Sequence, residues 1–394
     1  MRKIIFLVLA MFCLGPLMAQ SDRFEINFDI TGVLSPRVSV SVFGDKDKIT
    51  VDTDKDNSIP VEGWKIKLSG TAKCPGIVRF YFDSKNDSRL FKIMPGGGYA
   101  PVKSCNLWVA VYPGASLNVT GDVTGKDHMD VFATEGTGSG ENNILAKLNT
   151  RMIPLINESG NLSVLLAYKG KALSAAEKTE IETRMEEIEK ELAQVRENFV
   201  NEYPSSVAAL WLMEDMLIRS QIEPAQLEVP MAKVDKKYKD NYFYKTVKGR
   251  IEGARSAAVG AKCPGIKGTD QSGKEFSLKE LKGKYIIIDF WGTWCGACLA
   301  GTPQMKAFRD KHADKLQIVG VANDKNVEAW KACIERNGMD WPNVMQGKGE
   351  QDYVARFNVQ GFPTKVLVSP KGIILHRESG ESENFYKKAE ELMQ

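Results

Sequence analysis

The run Tyr285-Ile286-Ile287-Ile288-Asp289-Phe290-Trp291 constrains this chain more than any other stretch. One carboxylate interrupts an otherwise apolar segment. Such a segment fits a strand buried on both faces, as in the centre of a mixed α/β sheet. It runs straight into Gly292-Thr293-Trp294-Cys295-Gly296-Ala297-Cys298, with two cysteines three apart. These cysteines are open to three readings: metal ligands, a structural staple, or a redox pair.

A structural zinc site takes four ligands, usually two such pairs. Here there is one pair, and His312, Cys333 and His376 stand singly. No metal set assembles from the sequence, and no cofactor is expected. A staple across two intervening residues closes a very short loop, which on the chain-entropy model constrains the unfolded chain least. Redox chemistry uses more of the pattern. A helix starting near Cys295 puts its sulfur at a helix N-terminus, where partial positive charge favours a thiolate. A thiol with a pKa near 8.5 is only about 3% ionised at pH 7, and lowering it to about 7 makes half of it nucleophilic. Residues three apart on a helix have Cβ atoms roughly 5–6 Å apart, within reach of a disulfide once rotamers adjust. Cys295 is then expected to attack a substrate disulfide, and Cys298, the more buried thiol, to resolve the mixed disulfide. Asp289 closes the apolar strand. Poor solvation there is expected to raise its pKa, which suits it to take the proton of Cys298.

These residues, with Gly283-Lys284-Tyr285 upstream and Gly361-Phe362-Pro363-Thr364 downstream, resemble the thioredoxin superfamily. Within it they are similar to the secreted TlpA/ResA-like thiol-disulfide oxidoreductases, relatives of the AhpC/TSA redoxins. The turn Asp270-Gln271-Ser272-Gly273-Lys274, then Ser277-Leu278, resembles that group's extra N-terminal hairpin. The resemblance covers residue 259 to the end. It implies a thioredoxin fold, Cys295 as nucleophile, Cys298 as resolving thiol, Asp289 as the buried acid and Trp294 as the tryptophan beside the active site. It also implies Pro363 as the cis-proline facing the disulfide, with Phe362 and Trp291 at the substrate-binding surface. Two positions depart from the pattern. Ala297 stands where proline is usual, and Gly301 where this group often carries Glu. Both bear on the reduction potential, since 30 mV corresponds to about 1.4 kcal/mol.

The other parts of the chain set the compartment and the architecture. Arg2 and Lys3, an apolar run over 4–14 and Ala19 read as a secretory signal peptide over 1–19. The apolar run is too short for a bilayer, which needs about 20 residues. A membrane anchor or a lipoprotein at Cys13 fits less well. The localisation expected is the periplasm or cell envelope, where functional thiols need an electron source such as a membrane thiol reductase. Disulfide-containing envelope proteins are the expected substrates. The formal net charge of +3 over 394 residues gives no argument for a nucleic-acid partner.

Residues 21–135 alternate apolar and polar positions: Phe24, Ile26, Phe28 and Ile30, then Val38, Val40 and Val42, then Ile66 and Leu68, then Val78, Phe80 and Phe82. This predicts an antiparallel β domain. The Pro95-Gly96-Gly97-Gly98 stretch lacks a following Lys-Ser/Thr and reads as a hairpin loop, not a phosphate loop. The stretch 113–122, Pro-Gly-Ala-Ser-Leu-Asn-Val-Thr-Gly-Asp, resembles an uncharacterised domain found before such thioredoxins in Gram-negative envelopes. Residues 141–256 read as a helical connector. Ser174 and Glu177 form a capping box before the stripe Ile181, Met185, Ile188, Leu192, Val195 and Phe199, and further helices are predicted over 206–219 and 241–257. A packed helix hairpin is the expectation, a dimerising coiled coil the alternative. Residues 259–394 form the thioredoxin-like domain. The string AKCPGI occurs at 72–77 and 261–266 without any surrounding repeat. Cys74 and Cys105 are candidates for a structural disulfide, and Cys263 and Cys333 for unpaired, partly buried thiols.

Two other functions compete. A thiol-specific antioxidant peroxidase carries Pro-x-x-x-Thr/Ser-x-x-Cys, but here Thr293 is two residues before Cys295 and Gly292 three. A binding protein would let the β domain dominate and keep the thioredoxin unit as a scaffold.

Overall fold

The structure, a computed structural model, describes residues 22–33, 36–82, 91–93, 99–101, 106–122, 133–137 and 139–394. The leader, the loop at 95–98 and Cys105 lie outside the described residues. The chain divides into two compact units, Met1–Ile188 and Glu189–Gln394.

The first unit begins with β1 (Arg23–Thr31), β2 (Arg37–Phe43), β3 (Ile49–Val51), β4 (Ser58–Pro60), β5 (Lys65–Ala72) and β6 (Gly76–Phe82). It continues with β7 (Phe91–Ile93), β8 (Tyr99–Pro101), β9 (Asn106–Val111), β10 (Ser116–Asp122) and β11 (Ala133–Thr137). Two sheets form, ordered β11-β10-β1-β5-β3 and β4-β2-β6-β9, besides the β7-β8 pair. The period-2 pattern is the reason. Phe24, Ile26, Phe28 and Ile30 of β1 share one core with Val38 and Val40 of β2 and Val78 and Phe80 of β6. Phe28 and Phe80 meet edge to face with ring centroids 4.5 Å apart. Pairing is antiparallel as expected, save that β1 runs parallel to β10, with Ile26 opposite Leu117.

Two long helices follow, α1 (Ser139–Lys169) and α2 (Ala175–Glu202). Buried Asn142 of α1 bonds both backbone groups of Ala110, accepting from its N–H at 2.7 Å and donating to its carbonyl at 3.0 Å. Ala110 lies on the edge strand β9, so the amide stands in for a missing neighbour strand. The capping box is formed: Glu177 N–H donates to Ser174 Oγ at 3.2 Å and Ser174 N–H to Glu177 Oε2 at 2.8 Å. Arg184 of α2 holds Glu158 of α1, its Nε donating at 2.7 Å. This ties the two as a hairpin. Along the stripe, Ile188, Leu192 and Phe199 are buried.

In the second unit Ser206 caps α3 (Val207–Ile218), the short α4 (Glu228–Ala232) follows, and Asn241 caps α5 (Tyr242–Ser256). Then come β12 (Lys267–Thr269), β13 (Glu275–Ser277), β14 (Tyr285–Trp291), α6 (Gly296–Lys311), β15 (Leu316–Ala322) and α7 (Val327–Arg336). The chain ends with β16 (Asn343–Met345), α8 (Tyr353–Arg356), β17 (Thr364–Val368), β18 (Ile374–Ser379) and α9 (Glu383–Leu392). The main sheet is ordered β16-β15-β14-β17-β18, parallel from β14 to β16 and antiparallel across β17 and β18. This is the expected thioredoxin fold. β12 and β13 form the additional hairpin, and Gln271 in its turn bonds Trp341 O and Asn343 N–H at 2.9 and 2.8 Å.

β14 is buried on both faces. Ile287 and Trp291 pack with Met305 of α6, Trp330 of α7 and Phe385 of α9. Ile286, Ile288 and Phe290 pack on the other side with Tyr353 of α8 and with Phe357. No described helix is long and apolar enough to cross a membrane.

Gly320 of β15 is a tight point. A Cβ there would lie 1.8 Å from Asn343 Oδ1, the atom that accepts Trp291 Nε1–H at 3.1 Å. Gly320→Ala is therefore expected to break a buried hydrogen bond and to destabilise the second unit by about 1–3 kcal/mol. Urea unfolding followed by tryptophan fluorescence checks this, and an unchanged midpoint contradicts it.

Candidate active site

The end of β14 delivers the cysteine pair to the start of α6. Cys295 is the N-cap of that helix, and its Sγ accepts the backbone N–H of Cys298 at 3.2 Å. The sulfur thus lies where the first turn's N–H groups point, which stabilises negative charge. Cys295 and Cys298 are joined as a disulfide, with Cα atoms 5.3 Å apart. Their exposures are 6% and 4%, so both are buried, with Cys298 the more buried by a narrow margin.

The segment before the pair is fastened at both ends. Trp291 anchors it to Asn343 from below. Thr293 donates twice to Asp324, from its N–H at 2.9 Å and its Oγ1 at 2.6 Å. The Thr293 hydroxyl thus serves the loop and not the Cys295 sulfur. Trp294 is 60% exposed, its Nε1–H donating to Asn323 O at 3.0 Å and its ring meeting Phe362 edge to face at 5.2 Å. Phe362 is half-buried against the cluster that holds both cysteines. The Phe362–Pro363 peptide bond is cis. One expectation is corrected here. Trp291 was expected at a substrate-binding surface, but it is 1% exposed and bonded inside the core. Its ring cannot touch a docked protein, and the exposed indole is that of Trp294.

Asp289 faces the same side of β14 as Ile287 and Trp291, the side on which the cysteines lie. It is buried, and its Oδ1 has no hydrogen-bond partner. Lys365, directly opposite on β17, brings its Nζ to 3.7 Å, an ion-pair distance too long for a hydrogen bond. That ammonium instead bonds Glu381 Oε2 at 2.5 Å. Burial pushes the Asp289 carboxyl up to about 6; Lys365 pulls it down and Glu381 adds to the rise. Tyr386 O–H donates to Glu381 Oε1 at 3.3 Å, and burial raises its phenol far above its usual range.

Sequence reasoning missed Lys365, Glu381 and Asp324. Lys365 had a signal: a lysine in the otherwise apolar strand Thr364-Lys365-Val366-Leu367-Val368, at a position sharing a face with Leu367. Glu381 and Asp324 are loop carboxylates with no local pattern. Of the other cysteines, Cys74 is a free, half-buried thiol raised by burial, and its expected partner Cys105 lies outside the described residues. Cys263 and Cys333 are free as expected, the former pushed up to about 12 by burial.

A disulfide at the N-terminus of the helix after a buried central strand, on a thioredoxin fold, defines a thiol-disulfide exchange centre. Residues 283–374 match the family model described as thioredoxin-like. Over 124 residues the chain is 32% identical to thiol-disulfide oxidoreductase ResA of Bacillus anthracis, covering 31% of this chain and 70% of that protein. Over 106 residues it is 32% identical to thioredoxin-like protein YneN of Bacillus subtilis, covering 26% of this chain and 61% of that protein. Among solved structures, the thioredoxin domain of a thiol-disulfide oxidoreductase from Bacteroides vulgatus is 32% identical, over 35% of this chain and 99% of that one, with a TM-score of 0.33. The chain belongs to the ResA-like thiol-disulfide oxidoreductases of the thioredoxin superfamily.

The buried carboxyl has a measurable consequence for stability. Asp in an unfolded chain titrates near 3.9, and the folded value of Asp289 lies above it. The protonated form is therefore favoured by folding. Its stabilisation is complete below about pH 4 and is lost as pH rises through about 6, to the extent of roughly 2–3 kcal/mol. Asp289→Asn should remove this component. Urea unfolding of the oxidised chain at pH 4 and pH 7 should give a wild-type-minus-variant difference of that size, and a difference independent of pH rules it out.

Proposed function

We propose that this chain is a cell-envelope thiol-disulfide oxidoreductase that reduces disulfides in envelope proteins. The observation that carries the reading is the Cys295 sulfur, held at the cap of α6 and bonded to Cys298. The location rests on the signal-peptide-like sequence of 1–19, through which export is proposed. A membrane thiol reductase is the proposed electron donor. The division into 21–135, 141–256 and 259–394 is proposed as a functional one, with the chemistry in the last part.

In the first step the Cys295 thiolate attacks one sulfur of a substrate disulfide. A mixed disulfide forms, and the other substrate sulfur leaves as a thiolate that takes a proton from water. Asp289 then accepts the proton of Cys298, whose sulfur attacks Cys295 Sγ. The mixed disulfide breaks, the Cys295–Cys298 bond forms, and the second substrate thiolate leaves. Two electrons have passed from the dithiol to the substrate. A carboxyl with a pKa of about 6 is mostly ionised at neutral pH yet basic enough to take a thiol proton. Trp294 and Phe362 offer the apolar surface beside the sulfurs. The ladder of β17 starts only at Thr364, which supports a role for the backbone of Phe362 in pairing with an extended substrate segment.

The reduced protein should accelerate reduction of insulin disulfides, and Cys295→Ser should abolish this. Full activity in that variant would sink the assignment of the nucleophile. Cys298→Ser should attack normally and accumulate mixed disulfides, whose capture in the envelope identifies the substrates. Asp289→Asn should leave the first step unchanged and slow resolution by about 100-fold near pH 7. Rapid-quench kinetics separates the two steps, and an unchanged resolution rate leaves Asp289 without the role.

A further inference from the structure

On the side of β14 where the cysteines lie, Asp289 is joined by two charged groups, Lys365 and Glu381, that the exchange steps above do not use. Lys365 is 3% exposed at its side chain, yet it is an ammonium held between two carboxylates. Its Nζ is 2.5 Å from Glu381 Oε2 and 3.7 Å from Asp289 Oδ1. The carboxylate of Glu381 also lies against α6. A Cβ built on Gly301 would meet its Cδ and Oε2 at 2.2 Å. Gly301 follows Cys298 by three residues, so both lie on one face of the helix. The missing side chain at Gly301 is what makes room for a carboxylate from the loop after β18. Around Asp289 the structure places Lys365 from β17, Glu381 from that loop and Tyr386 from α9, and Cys298 of α6 packs on the same side of β14.

We propose that Glu381 and Lys365 are positioning residues for the exchange reaction: Glu381, seated in the gap left by Gly301, holds the Lys365 ammonium away from Asp289 and so keeps Asp289 able to take up and return the Cys298 proton. The inference rests on Asp289 being the proton acceptor. The physical reason is competition for one cation. In a buried site two carboxylates cannot both be fully compensated by one ammonium, and the nearer takes most of its field. The proton on Asp289 then comes and goes near neutral pH without Lys365 having to move.

The two residues should act in opposite directions. Glu381→Gln removes a like charge and frees Lys365 to close on Asp289, so Asp289 should titrate lower by about 1 pH unit or more. Lys365→Met removes the opposite charge and should move it higher by a similar amount. Lys365→Arg should restore the charge and most of the wild-type behaviour. Gly301→Ala changes no charge but displaces the tip of the Glu381 side chain, and should move the titration in the same direction as Glu381→Gln. The readout is carbon-13 carboxyl NMR of the full oxidised chain from pH 4 to pH 9, with the Asp289 signal assigned by its loss in Asp289→Asn. A purely structural role for Glu381 and Lys365 would lower stability without these opposite movements. Should Lys365→Met fail to fold, Glu381→Gln and Gly301→Ala still decide the matter. If Asp289 titrates in the ordinary Asp range in the wild-type chain, both the acceptor reading and this inference fall. If it titrates high but Glu381→Gln and Gly301→Ala leave it in place, or Lys365→Met moves it lower, only the inference falls.

Discussion

The site depends on one constraint: β14 is buried on both faces. A strand in that position has neighbours on either edge and helices above and below. Its C-terminal end is consequently fixed, and whatever follows it starts from a fixed point. Trp291 locks the last residue of the strand through Asn343, and Asp324 and Asn323, just past the parallel neighbour β15, hold Thr293 and Trp294. Cys295 then has one place to be, at the cap of α6. Position at a helix N-terminus is a property of the backbone, so the electrostatic advantage needs no cationic side chain beside the sulfur.

The same burial explains Asp289. A carboxyl on a two-sided strand cannot reach water, and the cost of its charge is met only in part by Lys365. An aspartate kept at such a cost is a liability for the fold, most so when ionised. Such a group is difficult to account for by packing alone, since an amide or an apolar residue of similar size would satisfy the core better.

Much of this was legible in the sequence, for stated physical reasons. Period-2 alternation in 24–30 and 78–80 and the apolar run of β14 report burial directly, because side-chain direction follows backbone period. The Ser174–Glu177 box announces a helix start through local hydrogen bonds, and the helices predicted over 206–219 and 241–257 prove to begin at the caps Ser206 and Asn241. Local chemistry also located Cys295. What stayed hidden was long-range. The parallel match of β1 with β10 joins segments 91 positions apart in register, Ile26 with Leu117, and no local pattern specifies it. β16 and α8 are too short to show a period. Trp291 and Trp294 look alike in sequence, and only their opposite burial tells a core anchor from a surface contact.

Glu381 shows why a departure from a motif need not be a loss of function. Read along the chain, Gly301 is a helix position lacking a side chain, and Glu381 is one of several acids near the C-terminus. Read in space, the second fills the room the first leaves. A carboxylate carried on α6 itself would be fixed by the helix backbone. One delivered from the loop after β18 is tethered to β17 through Lys365 and to α9 through Tyr386. Its charge is therefore held by the two elements that also bracket Asp289, and it is 20% exposed at the side chain where Asp289 is 6%. The arrangement runs from a buried acid through a shared cation to an acid that water can reach. On the proposed reading, charge is redistributed among these groups while the backbone around Cys295 stays where β14 has placed it.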